Sequence, residues 1–106
     1  MNLISINQND FEHHVLAQSG LTLVDFWAPW CGPCRSLAPV LEQYAQNHPD
    51  VKVVKINVDD NQALASALSI RSIPALFLFK DGQSVGATTG ALSAQSLDLW
   101  MRKFLD

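Results

Sequence analysis

Cys31 and Cys34 are the only two cysteines of the 106-residue chain, and they lie three positions apart. On a helix this spacing is about one turn, so their sulfur atoms can form a small disulfide or open to a dithiol. At the start of a helix, unpaired N–H groups and the positive end of the helix dipole would stabilise a nucleophilic thiolate at Cys31. The pair therefore predicts reversible thiol–disulfide exchange, with Cys31 nearer the surface as the nucleophile and Cys34, one turn deeper, as the resolving thiol.

Gly32 and Pro33, the two residues between the cysteines, suit the first turn of a helix. Glycine lets the backbone turn tightly, and proline sets φ at the first helical positions, where its missing N–H costs nothing. We therefore expect the two cysteines to be held close together before any reaction, as a redox-active disulfide when they are oxidised.

Asp25 interrupts a nearly all-apolar stretch, residues 21–27, of the kind that forms a strand buried on both faces of a sheet. Burial of a carboxylate raises its pKa, and Asp25 could then exchange a proton near neutral pH. The residues alone equally allow an aspartate that is tied to a loop N–H or faces solvent at the end of the strand.

The segment 24–35, which reads Val-Asp-Phe-Trp-Ala-Pro-Trp-Cys-Gly-Pro-Cys-Arg, resembles the active-site segment of the thioredoxin family at nearly every position. The resemblance covers essentially the whole chain. It implies the thioredoxin fold, an α/β architecture with a central mixed five-stranded sheet flanked by four helices, in one domain over residues 1–106. It also implies a thiol–disulfide oxidoreductase that reduces disulfides in client proteins, has no cofactor, and is recycled by an NADPH-dependent thioredoxin reductase.

The resemblance further implies roles for residues outside the cysteine pair. Asp25 matches the proton acceptor for Cys34, and Lys55 matches a lysine that lies near that aspartate. Pro74 matches a cis proline that faces the two cysteines. Without the resemblance we would predict a trans Ile73–Pro74 bond, because only about one X–Pro bond in twenty is cis in folded proteins.

A flat apolar surface around Cys31 is expected to bind clients with little side-chain discrimination, and the backbone of Ile73 is expected to pair with an extended client segment. The expected members of this client surface are Trp30, Ile73, Pro74, Gly90 and Ala91. Trp27 is expected to support the site by packing beside it.

The chain departs from the family pattern at three positions. Arg35 stands where lysine is also common, and this like-charge change should preserve a positive rim. Ser72 stands where glycine is frequent, and Ala75 stands where threonine is usual. We expect the last two changes to affect client preference and not the sulfur chemistry.

Five strands are expected to position these residues: 3–6, 21–27, 51–58, 75–80 and 84–88. The Asp81-Gly82 turn should join the last two strands as a hairpin. Each of the earlier strands is followed by a helix, so we expect a mainly parallel sheet with an antiparallel hairpin at one edge.

Four helices are expected between and after these strands. Asn9 or Asp10 should cap the first helix and Gly20 should end it. The second should cover residues 33–47 with a kink at Pro39, and the third, residues 62–68, should be capped from the Asp59-Asp60-Asn61 run. Ser93 should cap the last helix, whose apolar stripe comprises Leu97, Trp100, Met101, Phe104 and Leu105.

The charge and hydropathy of the chain narrow its expected partners. The net charge is −3 and the seven basic residues are scattered, so no surface for nucleic acid or for an anionic membrane is expected. The N-terminal residues do not resemble a secretory signal, and no apolar run approaches bilayer length. A cytoplasmic monomer is therefore expected.

Three other functions compete with disulfide reduction. An oxidase or isomerase would use the same fold, but such proteins often have a histidine between the cysteines, whereas Gly32 and Pro33 carry no charge. A zinc site needs four ligands, and two cysteines with three dispersed histidines provide no second pair, so no metal is expected. A rigid, non-enzymatic subunit of a larger complex is compatible with the same residues.

Overall fold

A computed structural model describes residues 2–105, and its centre is one five-stranded sheet with the strand order β1-β3-β2-β4-β5. The strands are β1 (Leu3–Ser5), β2 (Leu21–Trp27), β3 (Lys52–Asn57), β4 (Ala75–Lys80) and β5 (Gln83–Thr89). Strands β1 and β2 pair with β3 in parallel, whereas β4 runs antiparallel to both β2 and β5. The mixed sheet with a hairpin at one edge is therefore confirmed.

In the described part of the chain four helices flank the sheet, as the sequence predicted. They are a π-helical segment (Glu12–Leu16), α1 (Gly32–Asn47), α2 (Gln62–Ala67) and α3 (Ala94–Leu105), and two short 3-10 turns lie at Gln8–Asp10 and Val58–Asp60. Helix α1 continues through Pro39 without ending there. Within residues 2–105, no helix is both long enough and apolar enough to cross a membrane.

The first helix differs from the prediction at both ends. Asn9 and Asp10 lie in a 3-10 turn, and Phe11 precedes the π-helical segment without a side-chain cap. This segment ends at Leu16, before Gly20. Gly20, with a φ of +76°, instead binds the β4–β5 turn: its N–H donates to Asp81 Oδ1 at 2.7 Å, and its carbonyl accepts from Asp81 N at 2.9 Å.

Asn61 of the predicted Asp59-Asp60-Asn61 run is the N-cap residue of α2, but its side chain forms no hydrogen bond with the first turn of the helix. The side-chain cap comes from Gln8, whose Oε1 accepts a hydrogen bond from Leu64 N at 3.0 Å. The buried Asn61 side chain in turn accepts a hydrogen bond from Gln8 N at 2.7 Å. Gln8 and the first turn of α2 thus exchange two hydrogen bonds, in the manner of a capping box. Local sequence patterns do not reveal this cap, because its two sides are far apart in the sequence.

Helix α3 begins as predicted, because Ser93 Oγ accepts a hydrogen bond from Ser96 N at 3.1 Å. Leu97 and Met101 on its apolar face are buried. Leu105 was expected on the same stripe, but it is 39% exposed, since it lies at the end of the helix and off the core.

Side chains of the sheet alternate between two hydrophobic clusters. One cluster joins Leu23 of β2 to Leu37 of α1 and Met101 of α3. The other joins Val24 and Phe26 of β2 to residues of the π-helical segment and α2. Because successive side chains of a strand point to opposite faces, Asp25 shares the face of Leu23, which α1 covers.

Candidate active site

The two cysteines meet at the start of α1 and form a disulfide, with 5.2 Å between their Cα atoms. Cys31 is the N-cap residue of this helix, and its Sγ accepts a hydrogen bond from Cys34 N at 3.1 Å. Gly32 and Pro33 form the first two positions of the helix, as their residue types predicted. A sulfur atom therefore occupies the position at which a helix most favours negative charge.

The expected difference in depth between the two cysteines is absent from this disulfide form. Cys31 is 5% exposed and Cys34 is 4% exposed, so both are buried to the same degree. They differ in their position along the helix, since Cys31 lies before its first residue and Cys34 within its first turn. The bond between them holds both sulfur atoms in the same small cluster with Ala28.

Asp25 lies in the middle of the central strand, with only 1% of its surface exposed. Its neighbours across the sheet are Lys55 of β3 and Leu76 of β4. Burial raises the pKa of Asp25 to about 6, although the charge of Lys55 acts in the opposite direction. Among the described residues, no group donates a hydrogen bond to Asp25 Oδ1. The residues alone allowed a buried or a solvent-facing Asp25, and in the structure it is buried.

Lys55 is half-buried and connects Asp25 with the aromatic ring of Trp27. It pairs with Asp25 in the β2–β3 register, and its Nζ lies 5.0 Å from the centroid of the Trp27 ring. This geometry is a cation–π contact. The contact with Trp27 therefore keeps the Lys55 side chain near Asp25, its partner in the β2–β3 register.

The Ile73–Pro74 peptide bond is cis, as the resemblance implied and contrary to the prediction from residue types alone. The carbonyl oxygen of Ile73 lies 3.8 Å from Cys31 Sγ. The carbonyl oxygen of Pro74 accepts a hydrogen bond from Gly90 N at 2.9 Å. The loop before β4 therefore lies against the disulfide and is hydrogen-bonded to the residue that follows β5.

Four of the five residues expected in the client surface reach solvent. Trp30 is 68% exposed, and its Nε1 donates to Asp59 Oδ2 at 3.0 Å. Ala91 is exposed, and Ile73 and Gly90 are half-buried. Pro74 is buried in this disulfide form. The term client surface denotes the four exposed or half-buried residues.

Comparisons with known proteins agree with this geometry. A family model described as Thioredoxin matches residues 2–103. The chain is 49% identical to Thioredoxin 1 of Synechococcus elongatus over 102 residues, which cover 95% of each chain. It is 49% identical to Thioredoxin of Haemophilus influenzae over 96 residues, 90% of each chain, and 41% identical to Thioredoxin of Porphyra purpurea over 106 residues, 99% of each chain. The chain belongs to the thioredoxin family.

The chemistry of this thioredoxin follows from its cysteine pair. Cys31 and Cys34 are bonded to each other, and opening this bond gives a dithiol that can reduce a disulfide in another protein. The protein is therefore a thiol–disulfide oxidoreductase that acts on client proteins by dithiol–disulfide exchange through these two residues.

An open hollow of about 420 Å³ lies beside the site and was not predicted from the sequence. Ser72 and Ala75, two of the positions at which the chain departs from the family pattern, both line it, as does Arg71. The departures were therefore the available signal, although only the fold reveals that they share one surface. Arg35, the third departure, instead donates from Nη1 to the carbonyl of Pro29 at 2.8 Å and so braces the loop before the cysteines.

Proposed function

We propose that this thioredoxin works as a protein-disulfide reductase that an NADPH-dependent thioredoxin reductase returns to its dithiol form. The observation that carries the proposal is the hydrogen bond from Cys34 N to Cys31 Sγ at the start of α1. A backbone N–H and a helix dipole that are already aimed at the sulfur favour its thiolate once the disulfide is opened. No charged side chain lies between the cysteines, and this favours reduction over oxidation or isomerisation.

In the first step the thiolate of Cys31 attacks one sulfur of a client disulfide. A bond forms between Cys31 Sγ and that sulfur, the client disulfide breaks, and the other client sulfur leaves as a thiolate. The Ile73 carbonyl lies beside Cys31 Sγ, and its position supports pairing between this part of the backbone and an extended client segment. The client surface supplies apolar contact around the sulfur.

In the second step Cys34 resolves the mixed disulfide. Asp25 accepts the proton of the Cys34 thiol, and the new thiolate attacks Cys31 Sγ. The Cys31–Cys34 bond forms, the second client sulfur is released, and two electrons have passed from the dithiol to the client. A carboxyl group with a pKa of about 6 supports this role, because it is a stronger base than an ordinary aspartate and is still ionised at neutral pH.

Lys55 assists this proton transfer through its effect on the pKa of Asp25. Its charge opposes the effect of burial on Asp25, and so keeps a larger fraction of the carboxyl ionised and ready to accept a proton. Replacing Lys55 with methionine should therefore shift the acidic limit of the second step to higher pH and leave the first step unchanged.

Catalysis in the cytoplasm by a monomer completes the proposal. A reducing compartment keeps the pair available as a dithiol, and exchange through one helix terminus needs no second copy of the chain. The partners are then the flavoprotein reductase, which supplies electrons from NADPH, and client proteins that contain disulfides.

The test couples three components: the protein, a thioredoxin reductase with NADPH, and a two-chain test protein whose chains are joined by disulfides. We expect NADPH to be consumed in proportion to the chains released, and only when all three are present. A Cys31→Ser, Cys34→Ser double variant is the matched control, since it keeps a non-enzymatic binding role and loses turnover. A strongly oxidising midpoint in a glutathione buffer would exclude the reductase direction.

A further inference from the structure

The open hollow of about 420 Å³ borders two of the three loops that carry the client surface. Arg71 and Ser72, which line it, lead directly into Ile73. Thr89, which also lines it, leads directly into Gly90. The hollow is therefore continuous along the chain with the part of the client surface formed by Ile73, Gly90 and Ala91.

The two segments are joined where the hollow meets the client surface. Ala75 and Thr89 are paired across the β4–β5 ladder, and Gly90 N donates to the Pro74 carbonyl at 2.9 Å. Arg71 precedes Ile73 by two residues, so their Cα atoms are no more than about 7 Å apart. A client segment that lies on Ile73 with its sulfur at Cys31 therefore reaches the hollow within a few residues.

The hollow has the chemistry of an anion site. Among residues 2–105, Arg71 is the only charged residue that lines the hollow, and no carboxylate lines it. The Arg71 side chain is exposed and forms no hydrogen bond or salt bridge within residues 2–105. A guanidinium group offers five N–H donors in a planar fork that fits a carboxylate, and the hydroxyls of Ser72 and Thr89 can donate as well.

The base of the hollow is apolar, and a side chain of a client protein can pack on it. Ala75 is buried and Phe77 is half-buried, and both line the apolar base. The methylene groups of a glutamate or aspartate can pack on this base while the carboxylate reaches the guanidinium at the rim. A lysine in the same place would instead face Arg71 as a like charge.

We propose that this hollow is a specificity site, which favours clients with an aspartate or glutamate roughly two to four residues from the reacting cysteine. The inference rests on the proposed reductase function and names the class of client that it prefers. The site adds binding energy for the client and does not participate in sulfur exchange.

Disulfide-linked synthetic peptides test the proposal directly. They are identical except at one position, about three residues from the cysteine, which carries Glu, Gln or Lys. We expect kcat/KM for the Glu peptide to exceed that for the Gln peptide by about two- to fivefold, with the Lys peptide poorest. The preference should shrink as salt is raised, because an exposed ion pair is screened.

Two variants of Arg71 should change the peptide preference to different degrees. Arg71→Gln should remove the preference for Glu over Lys, and Arg71→Glu should reverse it. Retention of the wild-type ranking in Arg71→Glu would overturn the proposal.

Arg102→Glu is the matched control, because it makes the same change in net charge at another place. Arg102 lines a different hollow with Tyr44 and Asp98, and Tyr44 lies ten residues beyond Cys34 along α1, about 15 Å away. We expect the peptide ranking to be unchanged in this variant. An equal loss of preference in Arg102→Glu would show an effect of overall charge and would also overturn the proposal.

A small uncharged disulfide separates this proposal from the proposed function. The reduced wild-type protein and both Arg71 variants should reduce it at equal rates, since it does not reach the hollow. If the wild-type protein failed to reduce any disulfide, the reductase function itself would be wrong. Reduction of all three peptides at one rate would leave the reductase function standing and remove only the specificity site.

Discussion

Helices α1 and α3 begin with the same hydrogen-bond geometry and have entirely different chemistry. In α1 the Sγ of Cys31 accepts from the N–H of the third helical residue, Cys34, at 3.1 Å. In α3 the Oγ of Ser93 accepts from the N–H of the third helical residue, Ser96, also at 3.1 Å. The backbone arrangement of a helix cap is therefore not sufficient to make a redox site.

The surroundings of the two caps account for the difference. Ser93 is exposed, and its hydroxyl accepts from Ser96 N and donates to Ser96 Oγ, both of which are ordinary capping contacts. Cys31 is buried with Cys34, on the helix that covers the sheet face of Asp25. The α1 cap thus combines an oxidisable atom, a bonded partner and a nearby carboxyl group with a raised pKa, whereas the α3 cap has none of these.

Replacing Cys31 with serine would give α1 the cap that α3 has, and is the strongest way to break the comparison. We expect Cys31→Ser to lower disulfide-reducing turnover by roughly a thousandfold or more, because a hydroxyl is not ionised near neutral pH. The far-ultraviolet circular dichroism should match that of the reduced wild-type protein, since the serine still caps the helix. Residual turnover near the wild-type value would show that Cys31 is not the nucleophile.

Replacing Cys34 removes the resolving partner and keeps the reactive cap. We expect Cys34→Ser to accumulate a covalent complex between Cys31 and a client, visible by non-reducing electrophoresis and lost on addition of dithiothreitol. The Cys31→Ser variant is the control and should form no such complex. Failure of Cys34→Ser to trap any client would contradict the two-step mechanism.

Replacing Asp25 removes the carboxyl group that distinguishes the surroundings of the α1 cap. Its pKa is about 6 in the folded protein and 3.8 ordinarily, so the folded state binds the proton more tightly. The protonated Asp25 carboxyl therefore contributes its full stabilisation of the folded state below about pH 4, and this contribution is lost as the pH rises through 6. We expect Asp25→Asn to exceed the wild type in free energy of unfolding by about 3 kcal/mol at pH 8, measured by denaturant unfolding.

At pH 3, where the carboxyl group is protonated in both states, the Asp25→Asn variant should lose this advantage. Glu42→Gln is the matched control, since Glu42 is an exposed residue of α1, and it should show no comparable change with pH. Equal stability of Asp25→Asn and the wild type at pH 8 would mean that the buried carboxylate is not destabilising.

Removing the α3 cap should have the smallest effect and should not reach the active site. We expect Ser93→Ala to lower the free energy of unfolding by about 1 kcal/mol while turnover stays at the wild-type level. Ser93→Asp should restore the lost stability, because aspartate is also a good cap. A loss of turnover in Ser93→Ala would show that the two caps are coupled.

Local patterns predicted the parts of this fold that depend on neighbours in the chain. The buried strand β2, the Asp81-Gly82 turn and the Ser93 cap each depend on residues a few positions apart. The helix through Pro39 was also predicted, because apolar residues continue at helical spacing on both sides of it.

The features that were not predicted depend on distant residues. The side-chain cap of α2 comes from Gln8, which precedes Leu64 by 56 residues. The cis state of the Ile73–Pro74 bond was predicted only through the family resemblance, since residue types alone favour trans. The hollow beside Arg71 forms where β5 meets the loop before β4, and no single segment contains it.

The reciprocal bonds between Gln8 and the start of α2 have a consequence for motion. A helix of six residues has little stability of its own, so α2 persists only while the distant Gln8 side chain closes its first turn. The 3-10 turn at Gln8–Asp10 and helix α2 should therefore open as one cooperative unit. The amide hydrogens of Gln8 and Leu64 should then exchange with solvent at the same rate. Two segments separated by more than half of the chain would then fluctuate together.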